Sequence, residues 1–290
     1  MTKRILILAN KEGGIAHLDV LSDLINDRGQ DVEVFSSVLS DIGFFISPEH
    51  CEVVETRSGK DIASFDFIIF RTVGRDHAEE ALAISIYCDK MNIPYIDRCV
   101  GSSLHRAHKL ATMMALWSEN VPMPATVCGP TEYLVEKAPA IGFPAIFKAT
   151  RASHGKYNYK VTSIAEIKKI INTDNKRFLL QSFIPNKGDY RILVVNSQEL
   201  SARYRQGDGS SHLNNTSAGG TTTYIADHTD KEHIMDVAQR AAHSVRLDVA
   251  GVDIIVDSDN NPYVIEVNRA PQLLTKEERE TWVDGIMGMI

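Results

Sequence analysis

Two acidic residues and an asparagine interrupt the apolar stretch "GVDIIVDSDNNPYVIEVN" near the C-terminal end of the sequence. The turn-forming cluster "DSDNNP" divides this stretch into two strand-like halves, as in a β-hairpin. If the turn is centred on Asp259 and Asn260, Asp253 stands opposite Glu266, and Asn268 lies two positions further along the same face. Two carboxylates about 5 Å apart repel each other by about 3 kcal/mol at an effective dielectric near 20.

A divalent cation between the two carboxylates would convert this repulsion into binding. Oxygen donors from carboxylates and an amide, without His or Cys, favour Mg²⁺ over zinc or copper. Because Mg²⁺ in proteins commonly also binds substrate phosphates, the hairpin predicts a nucleotide site. The alternative is an exposed antiparallel face that carries ordinary charges. An EF-hand loop does not fit, since Pro262 stands where that loop requires glycine.

A candidate phosphate-binding element precedes the hairpin by about one hundred residues. Lys148 ends the apolar strand "PAIFK", and the small, polar and basic segment "ATRASHGKYNYKV" follows it. A lysine suits phosphate oxygens as a point charge, and backbone N–H groups of such a loop can fold over them. The P-loop pattern is absent, because Tyr157 follows Gly155 and Lys156 where Ser or Thr is required. The alternative for Lys148 is an ordinary surface charge.

Composition limits the classes of protein that remain. With 290 residues, of which 43% are hydrophobic, the chain can bury a large core and form more than one domain. Its net charge of -7 argues against a broad nucleic-acid surface, and its four cysteines form no CxxC motif. No signal peptide or membrane-spanning run is recognisable. These features predict a soluble cytoplasmic protein with no nucleic-acid or membrane partner.

The elements that would position these residues fall into two classes. Residues 1–99 alternate apolar strands with helical patterns, which predicts an α/β domain with an open, largely parallel sheet. The later two-thirds indicate an α+β arrangement with several antiparallel pairs. Polar segments at 36–50 and 205–220 are candidate loops for substrate selectivity.

The order of these segments resembles the ATP-grasp superfamily, and most closely its RimK-type carboxylate–amine ligases. The resemblance covers residues 100 to 272 through "RAHKLATMMALWSENVPMPAT", "FPAIFKATRASHGK", "QSFIPNKGDYRILVV", "NNTSAGG" and "VAGVDIIVDSDNNPYVIEVNRAP". It implies a two-lobed ATP-grasp fold after the first domain, with lobes at residues 100–184 and 185–290. The cofactors implied are ATP and two Mg²⁺ ions, for which Mn²⁺ can substitute.

The resemblance also implies roles for individual residues. Two lysines hold phosphates, a loop at 150–156 closes over them, a hinge reads adenine through its main chain, and an aspartate lies near the ribose. The implied nucleotide-binding residues are Lys109, Lys148, Ser153, Gly155, Lys156, Gln181, Ser182, Phe183, Ile184, Asp189 and Asn215. The implied metal ligands are Asp253, Glu266 and Asn268; Lys148 and Arg191 are catalytic candidates, and Arg203 and Arg269 are candidates for binding substrate.

The implied reaction joins a carboxylate to an amine. The substrate carboxylate attacks the γ-phosphate of ATP to give an acyl phosphate and ADP, and an amine then displaces phosphate to form an amide. The substrates expected are an amino acid such as glutamate and a peptide or protein carboxylate, in a chain that can self-associate. Two alternatives stay open: a ligase for small free amino acids or peptide natural products, and a nucleotide-binding regulator without turnover.

Overall fold

The structure of the protein is a computed structural model. It describes residues 2–10, 15–28, 31–46, 51–101, 109–150, 152, 156–174, 176–207, 214, 221–225 and 231–289. The helices are α1 (Ile15–Arg28), α2 (Ala78–Met91), α3 (Lys109–Ser118), α4 (Thr131–Ile141), α5 (Ile164–Thr173), α6 (Glu232–Ser244) and α7 (Lys276–Met287).

Sixteen strands form four sheets within these residues. The first eight are β1 (Lys3–Ala9), β2 (Val32–Val38), β3 (Ile42–Ile46), β4 (Cys51–Glu55), β5 (Lys60–Asp61), β6 (Phe67–Phe70), β7 (Tyr95–Ile96) and β8 (Thr126–Cys128). The others are β9 (Ala145–Ala149), β10 (Asn158–Val161), β11 (Phe178–Ser182), β12 (Asp189–Val195), β13 (Gln198–Gln206), β14 (Thr221–Ile225), β15 (Val249–Val256) and β16 (Pro262–Asn268).

The first sheet is parallel, in the order β2-β1-β6-β7. Its central strands are continuous apolar runs because both of their faces are covered. All residues from Ile5 to Ala9 are fully buried, and Phe67 to Phe70 are nearly so. This confirms the predicted open parallel sheet.

The prediction of a loop at 36–50 is wrong over much of its length. Strand β2 continues to Val38, and β3 to β5 form a separate antiparallel sheet. The polar Ser37 is accommodated in β2 because its hydroxyl donates to the buried carboxylate of Glu55 at 2.9 Å. Residues 47–50 lie outside the described part of the chain. The segment 205–220 is corrected at its start, since β13 extends to Gln206.

The second sheet is antiparallel, in the order β10-β9-β11-β8, and places Lys148. Alternate residues of β9 point to opposite faces. Phe147 lies in the core beneath α4 and α5, where its ring stacks on Phe178 with centroids 4.6 Å apart. Lys148 therefore projects from the other face, toward the third sheet.

The third sheet is antiparallel, in the order β14-β13-β12-β15-β16, and has two different faces. One face carries Ile192 and Val252, which pack with α6 in an apolar core. On the opposite face, Leu193 and Val249 pack with α7 and with β1 of the first sheet. That second face turns from apolar to ionic along β15, where Asp253 follows Gly251 by two positions.

The sheets fall within the residue ranges predicted for three domains, and the domain boundaries themselves stay a prediction. None of the helices in the described ranges combines the length and the apolar character needed to cross a membrane.

Candidate functional site

The hairpin of β15 and β16 has the predicted pairing at its functional end. Gly251 pairs with Asn268, and Asp253 pairs with Glu266. Beyond Asp253 the register shifts, because Ile265 is an extra residue in β16. A bulge of this kind carries no mark in the composition and was not predicted.

The turn is therefore centred on Asp259 alone, and not between Asp259 and Asn260 as predicted, since Val256 pairs with Pro262. It is a loop over residues 257–261, closed by the side chain of Asp257. One oxygen of this carboxylate, Oδ1, accepts hydrogen bonds from the backbone N–H groups of Asp259 and Asn261, both at 2.9 Å. Asn260 adopts φ of 64°, the left-handed conformation that asparagine tolerates in turns.

Asp253 is buried and is clamped by two arginines. Arg191, directly opposite on β12, donates from Nε to Oδ1 and from Nη2 to Oδ2, both at 2.7 Å. Arg205 adds a contact from Nη2 to Oδ1 at 3.1 Å. Burial alone would raise the pKa of Asp253, but the two arginines hold that pKa below its usual value.

These contacts correct one argument from the sequence. The two carboxylates tolerate each other without a metal, because the arginines neutralise Asp253 and Lys109 approaches Glu266. The Lys109 ammonium lies 3.8 Å from Glu266 Oε1, and it donates to the backbone carbonyl of Ala152 at 2.6 Å. Lys109 thus joins the start of α3 to the hairpin and to the segment that follows β9.

Lys148 crosses from the second sheet to the third. Its ammonium is buried and donates to the carbonyl of Ile265, the bulged residue, at 3.4 Å. Burial lowers the pKa of Lys148 to about 8; the negative charge of Glu266 opposes this shift and the positive charge of Lys109 adds to it. The two predicted phosphate-binding lysines and the acidic hairpin therefore come together in one cluster of charged residues.

Asp189 belongs to the same ionic network. Its Oδ1 accepts a hydrogen bond from Arg205 Nε at 2.6 Å, and the residue is buried. Burial, followed by the nearby charge of Asp253, raises the pKa of Asp189 to about 6, although Arg205 opposes the shift. Its predicted role near a ribose stays a prediction, since this carboxylate already has a partner in the chain.

The predicted hinge lies at the end of β11. The Gln181 side chain turns inward and donates to Thr126 Oγ1 at 2.8 Å, so it points away from solvent. The backbone N–H of Ser182 donates to the carbonyl of Ala125 at 2.9 Å.

The two residues that complete the hinge have contacts of their own. The Lys160 ammonium lies 3.8 Å from the centroid of the Phe183 ring. The carbonyl of Ile184 accepts from Asn186 Nδ2 at 2.8 Å.

Three predicted nucleotide-binding residues, Ser153, Gly155 and Asn215, lie outside the described part of the chain. Lys156 is described and exposed. Asn214, the neighbour of Asn215, donates from Nδ2 to Asn186 Oδ1 at 2.9 Å and so contacts the segment after the hinge.

The two substrate candidates pair with carboxylates of the chain; Arg203 is buried and Arg269 is partly buried. Arg203 Nε lies 2.7 Å from Glu278 Oε1, and its Nη2 donates to the carbonyl of Gln272 at 3.3 Å. Arg269 Nε donates to Asp97 Oδ2 at 3.4 Å.

Three partners of these residues, Arg205, Glu278 and Asp97, were not predicted from the sequence. The buried Arg71 was not predicted as a site residue either. Two of them had a signal: Arg71 follows "FDFIIF" and Asp97 follows "IPYI", at the carboxyl ends of parallel strands, where ligands of open α/β sheets bind.

The oxygen donors of the hairpin fit Mg²⁺. Asp253 and Glu266 offer carboxylates, and Asn268, whose Nδ2 donates to Asp253 Oδ2 at 3.4 Å, keeps its amide oxygen as a neutral donor. Within the described ranges, no three His, Cys, Asp or Glu side chains form a metal cluster. Among the described residues, magnesium bound here would therefore depend on two carboxylates and an amide.

Comparisons with known proteins identify the family of the chain. Residues 107–290 match the RimK-like ATP-grasp domain model. A relative from Syntrophotalea carbinolica named "Probable alpha-L-glutamate ligase" is 30% identical over 225 residues, covering 74% of this chain and 72% of the relative. A relative of the same name from Mannheimia succiniciproducens is 28% identical over 218 residues, covering 73% and 71% of the two chains.

Solved structures show the same fold over the whole chain. The ATP-grasp ligase PsnB, complexed with a phosphomimetic variant of its minimal precursor, Mg and ADP, matches with a TM-score of 0.73 at 14% identity, over 99% of each chain. A RiPP-associated ATP-grasp ligase from Chryseobacterium gregarium, in complex with ADP and a leader and core peptide, has a TM-score of 0.72 at 14% identity. This match covers 100% of this chain and 98% of the other. The predicted resemblance and fold class are confirmed: the chain belongs to the RimK-like ATP-grasp family.

Proposed function

We propose that this protein joins an amino acid such as glutamate to a peptide or protein carboxylate through an acyl phosphate. Its reaction class follows from its family, since the chain is an ATP-dependent carboxylate–amine ligase. The observation that carries the proposal is the cluster in which Lys109, Lys148 and Arg191 contact the hairpin that bears Asp253 and Glu266.

The residues of this cluster supply positive charge for the phosphates and hold the reacting groups in position. Lys109 and Lys148 bind the phosphates of ATP, and Arg191 faces the reacting oxygens. The carboxylate oxygen attacks the γ-phosphorus and ADP leaves; the amine nitrogen then attacks the acyl carbon, phosphate leaves, and the nitrogen loses a proton. No nucleophilic side chain is required.

Asp253, Glu266 and Asn268 would hold two Mg²⁺ ions. Bound there, Mg²⁺ supplies charge neutralisation for the phosphoryl oxygens. Mn²⁺ prefers similar oxygen donors and can substitute. The ion pair of Arg191 with Asp253 must then loosen, which would release the guanidinium toward the substrate.

The substrate class has support from both kinds of comparison. The curated relatives carry the name of glutamate ligases, and the matched structures hold peptides. We therefore expect an amino acid as the amine and a peptide or protein as the carboxylate. Nucleotide contacts at Ser153, Gly155, Lys156, Asn215 and the hinge belong to this proposal.

The remaining expectations concern organisation and location. We propose domains at 1–99, 100–184 and 185–290, a cytoplasmic location and self-association. The free cysteines Cys51, Cys88 and Cys128 support a reducing compartment.

One incubation tests the proposed function. The protein is mixed with ATP, Mg²⁺, glutamate and a pool of peptides, and the nucleotide product and new masses are read together. ADP with a peptide that has gained a glutamate residue supports the proposal. AMP formation would instead mean adenylation, and nucleotide binding without any consumption would favour a regulator.

A further inference from the structure

Arg71 lies where the first sheet meets the ionic face of the third sheet. It follows β6 directly, at the carboxyl edge of the parallel sheet, and is only 8% exposed. Its Nη2 donates to the backbone carbonyl of Pro271 at 2.7 Å, and its guanidinium carbon lies 5.8 Å from the centroid of the Trp282 ring. Strand ends of this kind are where open α/β sheets bind ligands.

The junction lies close to the acidic hairpin. A Cβ atom built on Gly251 would lie 2.8 Å from Pro271 Cβ, so Pro271 covers Gly251. Gly251 and Asp253 are two positions apart in β15 and project to the same face, about 7 Å apart along the strand. The Arg71–Pro271 contact therefore lies beside Gly251, and Gly251 is two strand positions from the proposed metal ligand Asp253.

Among the described residues, this junction contains more positively charged than negatively charged side chains. Arg203 faces Glu278 at 2.7 Å, and Arg269 faces Asp97 at 3.4 Å. Arg71 is the third cation, and no carboxylate among the described residues lies within ion-pair distance of it. Burial lowers the pKa of Arg71 to about 10, so it remains charged at neutral pH.

A buried guanidinium without a paired anion destabilises the fold, and a bound anion would offset this cost. The nearby charge of Asp97 opposes the lowering of the Arg71 pKa, but this carboxylate forms no ion pair with Arg71 and already accepts from Arg269 Nε and from the backbone N–H of Val249 at 2.9 Å. A guanidinium binds a carboxylate with two parallel hydrogen bonds, and the contact with Pro271 uses only Nη2 of Arg71.

We propose that Arg71 binds the α-carboxylate of the amino acid that acts as the amine, and so selects amino acids over simple amines. This inference rests on the proposed ligase function. The reacting carboxylate belongs beside Lys148 and Arg191, where the phosphates are expected. The α-carboxylate is not consumed, and it needs a separate cation close to the hairpin; Arg71 supplies it.

The test compares glutamate with 4-aminobutyrate, which keeps the amine and side-chain carboxylate but lacks the α-carboxylate. ADP release is measured with ATP, Mg²⁺ and the peptide acceptor in the wild-type protein and in Arg71→Met. We expect the KM for glutamate to rise at least about tenfold, as for loss of one charge-assisted contact. The KM for ATP should stay within about twofold, and turnover of 4-aminobutyrate should not change.

A second readout needs no turnover. Glutamate should raise the Tm of the wild-type protein in the presence of AMP-PNP and Mg²⁺, and this rise should vanish in Arg71→Met, whereas the rise caused by AMP-PNP should persist. Arg4→Met, at the amino end of the same sheet, is the matched control and should behave as wild type. Arg71→Lys, which keeps the charge but not the two-point geometry, should show an intermediate KM and decides the question if Arg71→Met does not fold.

The outcomes separate this inference from the proposed function. A wild-type protein that ligates glutamate, with an unchanged KM in Arg71→Met or in Arg71→Lys, would overturn only the role of Arg71. A wild-type protein that neither consumes ATP nor gains stability from glutamate would overturn both.

Discussion

Arg191 and Asp253 face each other on neighbouring strands and form a two-point ion pair, with both N–O distances at 2.7 Å. They belong to a row across four strands in which Arg203, Arg191, Asp253 and Glu266 pair in succession. In this row two arginines are followed by two carboxylates, of which Asp253 is buried and Glu266 is partly exposed. The chain therefore stabilises its carboxylate pair without a metal, and Mg²⁺ bound at this pair, as proposed above, would serve catalysis rather than folding.

Replacing Asp253 should harm both stability and activity. Asp253→Asn leaves Arg191 and Arg205 without their shared anion, and breaking a buried pair costs about 3–5 kcal/mol. We expect a lower denaturation midpoint in urea and loss of Mg²⁺-dependent ADP release. Asp259→Asn, in the exposed turn, is the control and should change neither. A variant at position 253 with normal turnover would rule out its role as a metal ligand.

Replacing Glu266 should separate activity from stability. Its side chain is 41% exposed, and its nearest cation, Lys109, is 3.8 Å away, so its ion pair contributes little to folding. Glu266→Gln should therefore lose Mg²⁺-dependent ADP release while its urea midpoint stays close to that of the wild type. The assignment fails if Mn²⁺ binding, measured by electron paramagnetic resonance with ADP present, is as tight in Glu266→Gln as in the wild type.

Lys148 should make stability depend on pH. Its pKa falls from 10.5 in the reference state to about 8 in the fold, which corresponds to a cost on the order of 3 kcal/mol when the lysine is charged. The unfolded chain binds the extra proton between these values, so wild-type stability should rise with pH across that window. Below pH 8, ligand-free Lys148→Met should be the more stable protein.

Urea denaturation of both proteins at pH 7, 8, 9 and 10 measures this effect. The advantage of Lys148→Met should shrink steadily toward pH 10.5. An advantage that is constant with pH would mean that Lys148 is not charged at a cost in the fold. Nucleotide affinity gives the companion result, since Lys148→Met should bind ATP more weakly than the wild type at pH 7.

Gly251 should tolerate no side chain. A Cβ there would lie 2.8 Å from Pro271 Cβ, closer than real contacts allow, so the segment after Asn268 would have to move. We expect Gly251→Ala to cost about 1–3 kcal/mol, as overpacking does, and to weaken Mg²⁺-dependent activity. Gly288→Ala, whose Cβ would have ordinary contacts of 3.5 and 3.7 Å, is the matched control. Equal Tm values for the two variants would contradict the packing argument.

The hairpin could be predicted from the sequence because its information is local. A two-residue alternation and a dense turn cluster fix which residues share a face, and the pairing of Asp253 with Glu266 followed from them. The extra residue Ile265 could not be predicted in this way, since any residue type can occupy a bulge. That bulge nevertheless places the carbonyl that binds Lys148.

The ionic partners could not be predicted because they are distant in sequence. Arg71 and Pro271 are 200 positions apart, and Asp97 and Arg269 are 172 apart. Only the packing of the first sheet against α7 and the third sheet brings them together. A local pattern constrains a strand, but not the cation that arrives from another sheet.

Two helices differ in the signal that the sequence carries for them. Helix α4 contains Pro139, which weakens the helical pattern. Helix α7 is polar, yet Thr275 and Glu278 form a capping box at its start. The spacing of these two residues was a readable signal for a helix N-terminus.

The most direct measurement is a crystal structure of the protein with AMP-PNP and Mn²⁺, in which the anomalous signal locates the metal. We expect a peak coordinated by oxygens of Asp253, Glu266 and Asn268 and by phosphate oxygens. Lys148 should contact the phosphates, and the ion pair of Arg191 with Asp253 should be loosened. A nucleotide bound elsewhere, with no metal at the hairpin and Arg191 still paired to both oxygens of Asp253, would contradict it.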